Sequence, residues 1–120
     1  MSKMSIWDRD FDLDIVYDCY SGEAILPKQE EALKCFFTAE AEIKRSKNQV
    51  IQYCLDNDRD MIEDECIDNI FRYVVPYSIF VKRDGRVAIM CYYKLDMEHG
   101  LAVVFKKGKL LEIGRQDCIL

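Results

Sequence analysis

From Trp7 onward the chain alternates. Trp7, Phe11, Leu13, Ile15, Tyr17 and Cys19 fall on one side, and Asp8, Asp10, Asp12, Asp14 and Asp18 mostly on the other. Period two is the mark of a half-buried strand with a polar outer face. Ser21-Gly22 marks a turn, and Ala24 to Leu26 adds a short extended piece before Pro27. Proline suits a first helical turn, and Glu30 and Glu31 follow where the helix dipole favours acids. Leu33, Phe36, Phe37, Ile43, Val50, Ile51 and Cys54 then recur at helical spacings with no internal Gly or Pro. The pattern fits one long helix or two, broken near Thr38. Asp56 to Asp60 reads as a polar loop, and Ile62, Cys66, Ile67, Ile70, Phe71 and Val74 predict a further helix that Pro76 ends.

Tyr77 to Val81 and Val87 to Tyr93 read as strands around the two-residue turn signal Asp84-Gly85. Leu101 to Phe105 and Leu110 to Ile113 form a second hairpin around Lys107-Gly108. The expected fold is α+β, a single domain spanning 1–120. Its sheet is mostly antiparallel, an N-terminal strand plus a C-terminal four-stranded meander, covered on one face by two or three helices. If the second turn centres on Lys107-Gly108, Lys106 opposes Lys109, Phe105 opposes Leu110, and counting back sets Gly100 near Arg115 and Glu98 near Asp117. The same end of the sheet then receives Tyr77, Tyr92 and Tyr93.

Composition narrows the class. Hydrophobic residues make up 50% and charged residues 32% of 120 residues, as in globular domains and unlike disordered ones. The net charge of -5 conceals an asymmetry: residues 1–70 hold 17 acids against 8 bases, and residues 71–120 hold 5 against 9. An acidic chain lacks the concentrated basic face that nucleic acid requires, so no nucleic-acid partner is expected. The N-terminus has no signal-peptide core and no apolar run approaches a membrane span, so a cytoplasmic protein with no membrane partner is expected. The six cysteines include no Cys-x-x-Cys pair, and reduced, mostly buried thiols follow from that compartment.

Trp7, Gln29, Pro76, the run Asp96-x-Glu98-His99-Gly100-Leu101-Ala102 and the ending Gly114-x-Gln116-Asp117 together resemble a family of small bacterial domains of unknown function, over most of the length. The resemblance implies a bacterial source and a compact α+β domain. Its context is similar to that of accessory and immunity-type proteins, which neutralise toxins by binding them. It assigns no residue a role.

Two groups of residues are candidates for function. Asp96, Glu98, His99, Gln116 and Asp117 form a conditional polar cluster around the only histidine. Its imidazole and carboxylates are metal-ligand types, but one histidine is few for a catalytic zinc, so neither a metal nor a cofactor is expected. As a general base, His99 would be oriented by Asp117 and would need a nucleophile. Cys91 and Cys118 are candidates by position only, and no catalytic residue is assigned. The simpler expectation is that Asp96 and Glu98 accept backbone N–H groups across the Gly100 turn while His99 bonds Asp117 or a carbonyl.

The second group is Asp10, Asp12 and Asp14. A calcium loop starting at Asp8 fails, with Leu13 where glycine is required and Cys19 where glutamate should stand. On a strand, alternate aspartates lie roughly 6.5–7 Å apart and repel by only about 0.6 kcal/mol in water, so the stripe needs no ion. It suits a charged, aggregation-resistant face or a docking surface for a basic protein partner. The leading expectation is a noncatalytic binding module of accessory or immunity type, with a small metal- or ligand-binding protein using the polar cluster as the alternative.

Overall fold

A computed structural model describes residues 2–20, 22–62, 67 and 69–120. The elements run β1 (Ser2–Ile6), β2 (Arg9–Tyr17), α1 (Pro27–Thr38), α2 (Glu40–Asp58), β3 (Val74–Val81), β4 (Arg86–Tyr93), β5 (Leu101–Lys106) and β6 (Lys109–Gly114), with short 3₁₀ turns at Arg59–Met61, Ile70–Arg72 and Gln116–Cys118. The fold is α+β. Its six strands lie in chain order β1 to β6, antiparallel throughout except for the parallel pair β2–β3. A parallel pair needs a long crossover, which α1 and α2 supply.

The expected strand from Trp7 to Cys19 is β2, and its neighbours are β3 and a strand that the pattern did not announce. β1 pairs with β2 from Ser2↔Leu13 to Ile6↔Arg9. The turn between them is Trp7-Asp8, with φ of 54° and 70°. A two-residue hairpin turn with positive φ at both positions normally signals itself with Asn-Gly or Asp-Gly. Here tryptophan takes a left-handed conformation that costs roughly 1–2 kcal/mol. Its indole is buried and donates from Nε1 to Ser46 Oγ at 3.0 Å, which anchors the hairpin to α2.

The helical stretch is two helices. Ala39, at φ -91° and ψ 43°, leaves helical geometry, and its N–H bonds Phe36 O at 3.0 Å. The start of α1 is fixed by Gln29, fully buried, whose Oε1 accepts Leu26 N–H at 2.9 Å while Nε2 donates to Asp18 O at 2.9 Å and Val81 O at 3.2 Å. One carboxamide thus ties the helix to the ends of both parallel strands. The expected loop at Asp56–Asp60 is instead the end of α2 followed by a 3₁₀ turn.

The helix expected over Ile62–Val74 is not formed by its described residues. Ile70–Arg72 is a single 3₁₀ turn, Asn69 Oδ1 accepts Phe71 N–H at 3.1 Å, and Val74 already belongs to β3. Cys66 lies outside the described residues. The spacing that suggested a helix is the spacing of core contacts: Ile62, Ile67, Ile70 and Val74 are all buried. Pro76, expected to stop that helix, sits inside β3 at a register shift between Pro76 and Ser78. A bulge is where a strand tolerates proline.

Both helices pack on one face of the sheet, α1 against β3, β4 and β5 and α2 against β6. The main core joins Leu33, Phe36, Ile43 and Val50 from the helices to Leu13, Ile79, Ile89, Val103 and Phe105 from the strands. A smaller apolar cluster, Ala88, Met90, Ala102 and Val104, lies on the opposite face, closed by Ile119 of the C-terminal segment.

Candidate functional site: the polar end and the uncovered sheet face

The β4–β5 loop closes on itself. Gly100 N–H bonds Asp96 O at 2.9 Å, and Asp96 Oδ1 accepts the His99 N–H at 3.3 Å and meets His99 Nδ1 at 3.0 Å. The His99 hydrogen bond holds the Asp96 carboxyl below the usual carboxylate range, and the Arg115 guanidinium, 3.7 Å away, acts in the same direction. His99 therefore pairs with Asp96 and not with Asp117, which stands exposed on the C-terminal turn. Glu98 is also exposed.

Beyond Phe105↔Leu110 the pairing slips by one residue, to Val104↔Glu112 and Ala102↔Gly114, so Gly100 faces Gln116 where the unshifted count gave Arg115. Gln116 N–H bonds His99 O at 3.1 Å, and its Nε2 donates to Cys91 O and Tyr77 Oη, both at 3.0 Å. Gly100 has φ +63°, and a Cβ there would lie 2.7 Å from the Gln116 carboxamide. Only glycine admits that approach.

The chemistry available here is limited. Among the described residues no group of three or more His, Cys, Asp or Glu side chains is placed to hold a metal. Cys91 is fully buried, and burial pushes its thiol up. Cys118 is raised as well, by burial and then by Glu112 and Asp117. A thiol held protonated is a poor nucleophile. On the helix side of the same end, Tyr93 Oη donates to Asp58 Oδ2 at 2.5 Å, with burial first and that carboxylate second raising the phenol. The aromatics expected at this end divide: Tyr93 enters the main core, while Tyr77 packs on the other face.

That other face presents the second candidate group. Asp10, Asp12 and Asp14 are exposed on β2, alternating with buried Leu13 and half-buried Phe11 and Ile15. Asp12 stands opposite Lys3 and Asp10 opposite Ser5 on β1. On the inner side Asp14 neighbours Ser78, and Val16 neighbours Phe80. Val16 is 44% exposed and Tyr92 51%, and Tyr92 stacks on Tyr77 with ring centroids 4.3 Å apart. The surface thus combines the carboxylates with an exposed valine beyond Asp14 and an aromatic pair on β3 and β4. Sequence periodicity found the carboxylates but missed Val16. Cross-strand pairing of β3 with β4 brought Tyr77 and Tyr92 to the same end of the sheet, where their rings stack.

Among the described acidic residues near Asp56, those on α2 do not extend this surface. Asp56 and Asp58 belong to α2, on the opposite face, where Asp58 is engaged by Tyr93. Glu63, Asp64, Glu65 and Asp68 lie outside the described residues.

Fold and surface define a small α+β domain with a one-sided helical layer and an open sheet face. A domain of unknown function, DUF6985, matches residues 2–120, and the chain belongs to that family. No curated protein and no solved structure matches the chain. No described helix is long and apolar enough to cross a membrane.

Proposed function

We propose that this domain is a noncatalytic protein-binding module of bacterial accessory or immunity type, which docks a basic partner through the open sheet face. The observation that carries this reading is the line of Asp10, Asp12 and Asp14 on the face no helix covers, next to exposed Val16 and Tyr92. Aligned carboxylates accelerate encounter with a basic surface and disfavour acidic ones. An exposed aromatic beside them receives an Arg or Lys side chain as a cation–π pair. The Asp96–His99–Gln116 cluster, in this reading, fastens the loop at one end of that face.

The test is association kinetics with a partner captured from the source cells at low salt. The partner should be basic. Replacing Asp10, Asp12 and Asp14 together by Asn should lower its on-rate by about tenfold and flatten the salt dependence, while His99→Ala leaves both unchanged. An on-rate indifferent to the triple change, or one abolished by His99→Ala, would overturn the reading.

A further inference from the structure

Two bases of the C-terminal half, Lys106 and Lys107, lie at the end of the sheet away from the polar cluster, beside Lys28 of α1. The turns β3–β4 and β5–β6 lie side by side there, with α1 running over both. Gly85 is buried, and the Lys28 side chain passes over it, 3.5 Å from where a Cβ would stand. Gly108, at φ +76°, brings the second turn against α1, where a Cβ would lie 3.4 Å from Cys35 Sγ and from Ala39. Between turns and helix opens a cleft of about 520 Å³, with Lys28, Lys106 and Lys107 around it and Cys35 and Gly85 in its lining. That volume is in the range of small-molecule sites.

The charge balance of this cleft is uneven. Its two acids are Glu31 and Asp84, and Asp84 is committed elsewhere: its Oδ2 accepts Arg86 Nε at 2.8 Å and its Oδ1 accepts the Arg86 N–H at 3.0 Å. Among the described residues, none of the three lysines enters an ion pair. Three lysines therefore contribute to the lining of one concavity, with Glu31 as its one carboxylate outside an ion pair among the described residues. An ammonium is a compact point charge with three donors, suited to a tetrahedral polyanion rather than to planar bidentate recognition.

We infer that the cleft formed by Lys28, Lys106 and Lys107 is a binding site for a small phosphate-bearing anion. Neutralising the lysines removes their mutual repulsion, and the two hairpin turns supply a floor that needs no rearrangement. This site lies apart from the acidic strand, so it stands or falls separately from the docking reading.

The test is a nuclear magnetic resonance titration of the full chain with inorganic phosphate, pyrophosphate and phenyl phosphate, each against sodium chloride at matched ionic strength. Saturable shifts centred on Lys28, Gly85 and Lys107 are expected with at least one of the three. Tightest binding of pyrophosphate indicates an inorganic polyphosphate, and tightest binding of phenyl phosphate an organic monoester. Lys106→Gln with Lys107→Gln should weaken that binding by about tenfold or more, Lys28→Gln should weaken it from the helix side, and the triple Asn change in β2 should leave it intact. Shifts that chloride reproduces, binding that survives the lysine changes, or no saturation with any probe would overturn the inference.

Discussion

The two faces of the sheet are made by the same strands and differ in what closes them. Beneath the helices, Leu13, Ile79, Val81, Ile89, Val103 and Phe105 are almost wholly excluded from water. On the other side, β4 and β5 still present Ala88, Met90, Ala102 and Val104, closed by Ile119 with Tyr77 and Phe80 packed alongside, whereas β2 presents Asp10, Asp12 and Asp14. Strands with continuous apolar runs are covered on both sides, and the strictly alternating strand is not. The open face is thus graded by strand, and the docking surface proposed above lies on its alternating part.

The largest expected effects separate the two cores. Phe36→Ala removes a ring packed edge-on to Phe105 at 5.3 Å and should cost about 3–5 kcal/mol, while Ile119→Ala should cost about 2–3 kcal/mol because the segment at the C-terminus can relax. Chemical denaturation midpoints at constant slope check both. Equal losses would break the contrast between a helix-covered core and a tail-covered one.

Gly100→Ala comes next, at about 1–3 kcal/mol, from a left-handed backbone and a clash with Gln116. In a Gln116→Ala background the clash disappears, so the two changes together should cost less than their sum in a double-mutant cycle. Strict additivity would show that the carboxamide is not the obstacle.

The polar end also makes a pH prediction. The Asp96 pKa is lowered in the folded state, chiefly by His99, so its contribution to stability is present above the ordinary aspartate range near pH ~4 and is lost as pH falls through the lowered value. Stability curves of wild type and Asp96→Asn should therefore converge as the solution is acidified below that range. Parallel curves would remove Asp96 from the loop's electrostatics.

The smallest effect belongs to the open face. Neutralising Asp10, Asp12 and Asp14 should change stability by no more than about 0.5 kcal/mol, or raise it slightly by removing repulsion. That sharpens the comparison, since residues that matter little for folding are free to serve binding.

Much of this was legible in the chain itself. Asp84-Gly85 and Lys107-Gly108 announced both C-terminal hairpins, Pro27 announced α1, and the aspartate alternation announced β2 and its exposed row of charge, on a strand that lies inside the sheet between β1 and β3. β1 was hidden because its turn is Trp7-Asp8, a pair whose positive φ values are sustained by a tertiary bond to Ser46. The helix expected to reach Val74 is, over its last described residues, a 3₁₀ turn leading into β3, because core-facing positions outside a helix can share a helical spacing. In the polar cluster the residues were found, and Asp96 accepts a backbone N–H across the turn as expected, but His99 pairs with Asp96 and not with Asp117. The one-residue shift after Phe105 set Gly100 against Gln116 and brought in Gln116 as the lock. A bulge leaves no mark in hydrophobic periodicity when the extra residue, here near Leu111, is itself apolar.

The docking claim is tested most directly by carboxyl footprinting of the protein alone and in complex with its captured partner. The account predicts that Asp10, Asp12 and Asp14 become protected on binding, with tyrosine labelling of Tyr92 falling in parallel, while carboxylates on α2 such as Asp56 keep their reactivity. Protection of the helical layer or of Asp96, with the β2 carboxylates still fully labelled, would contradict it.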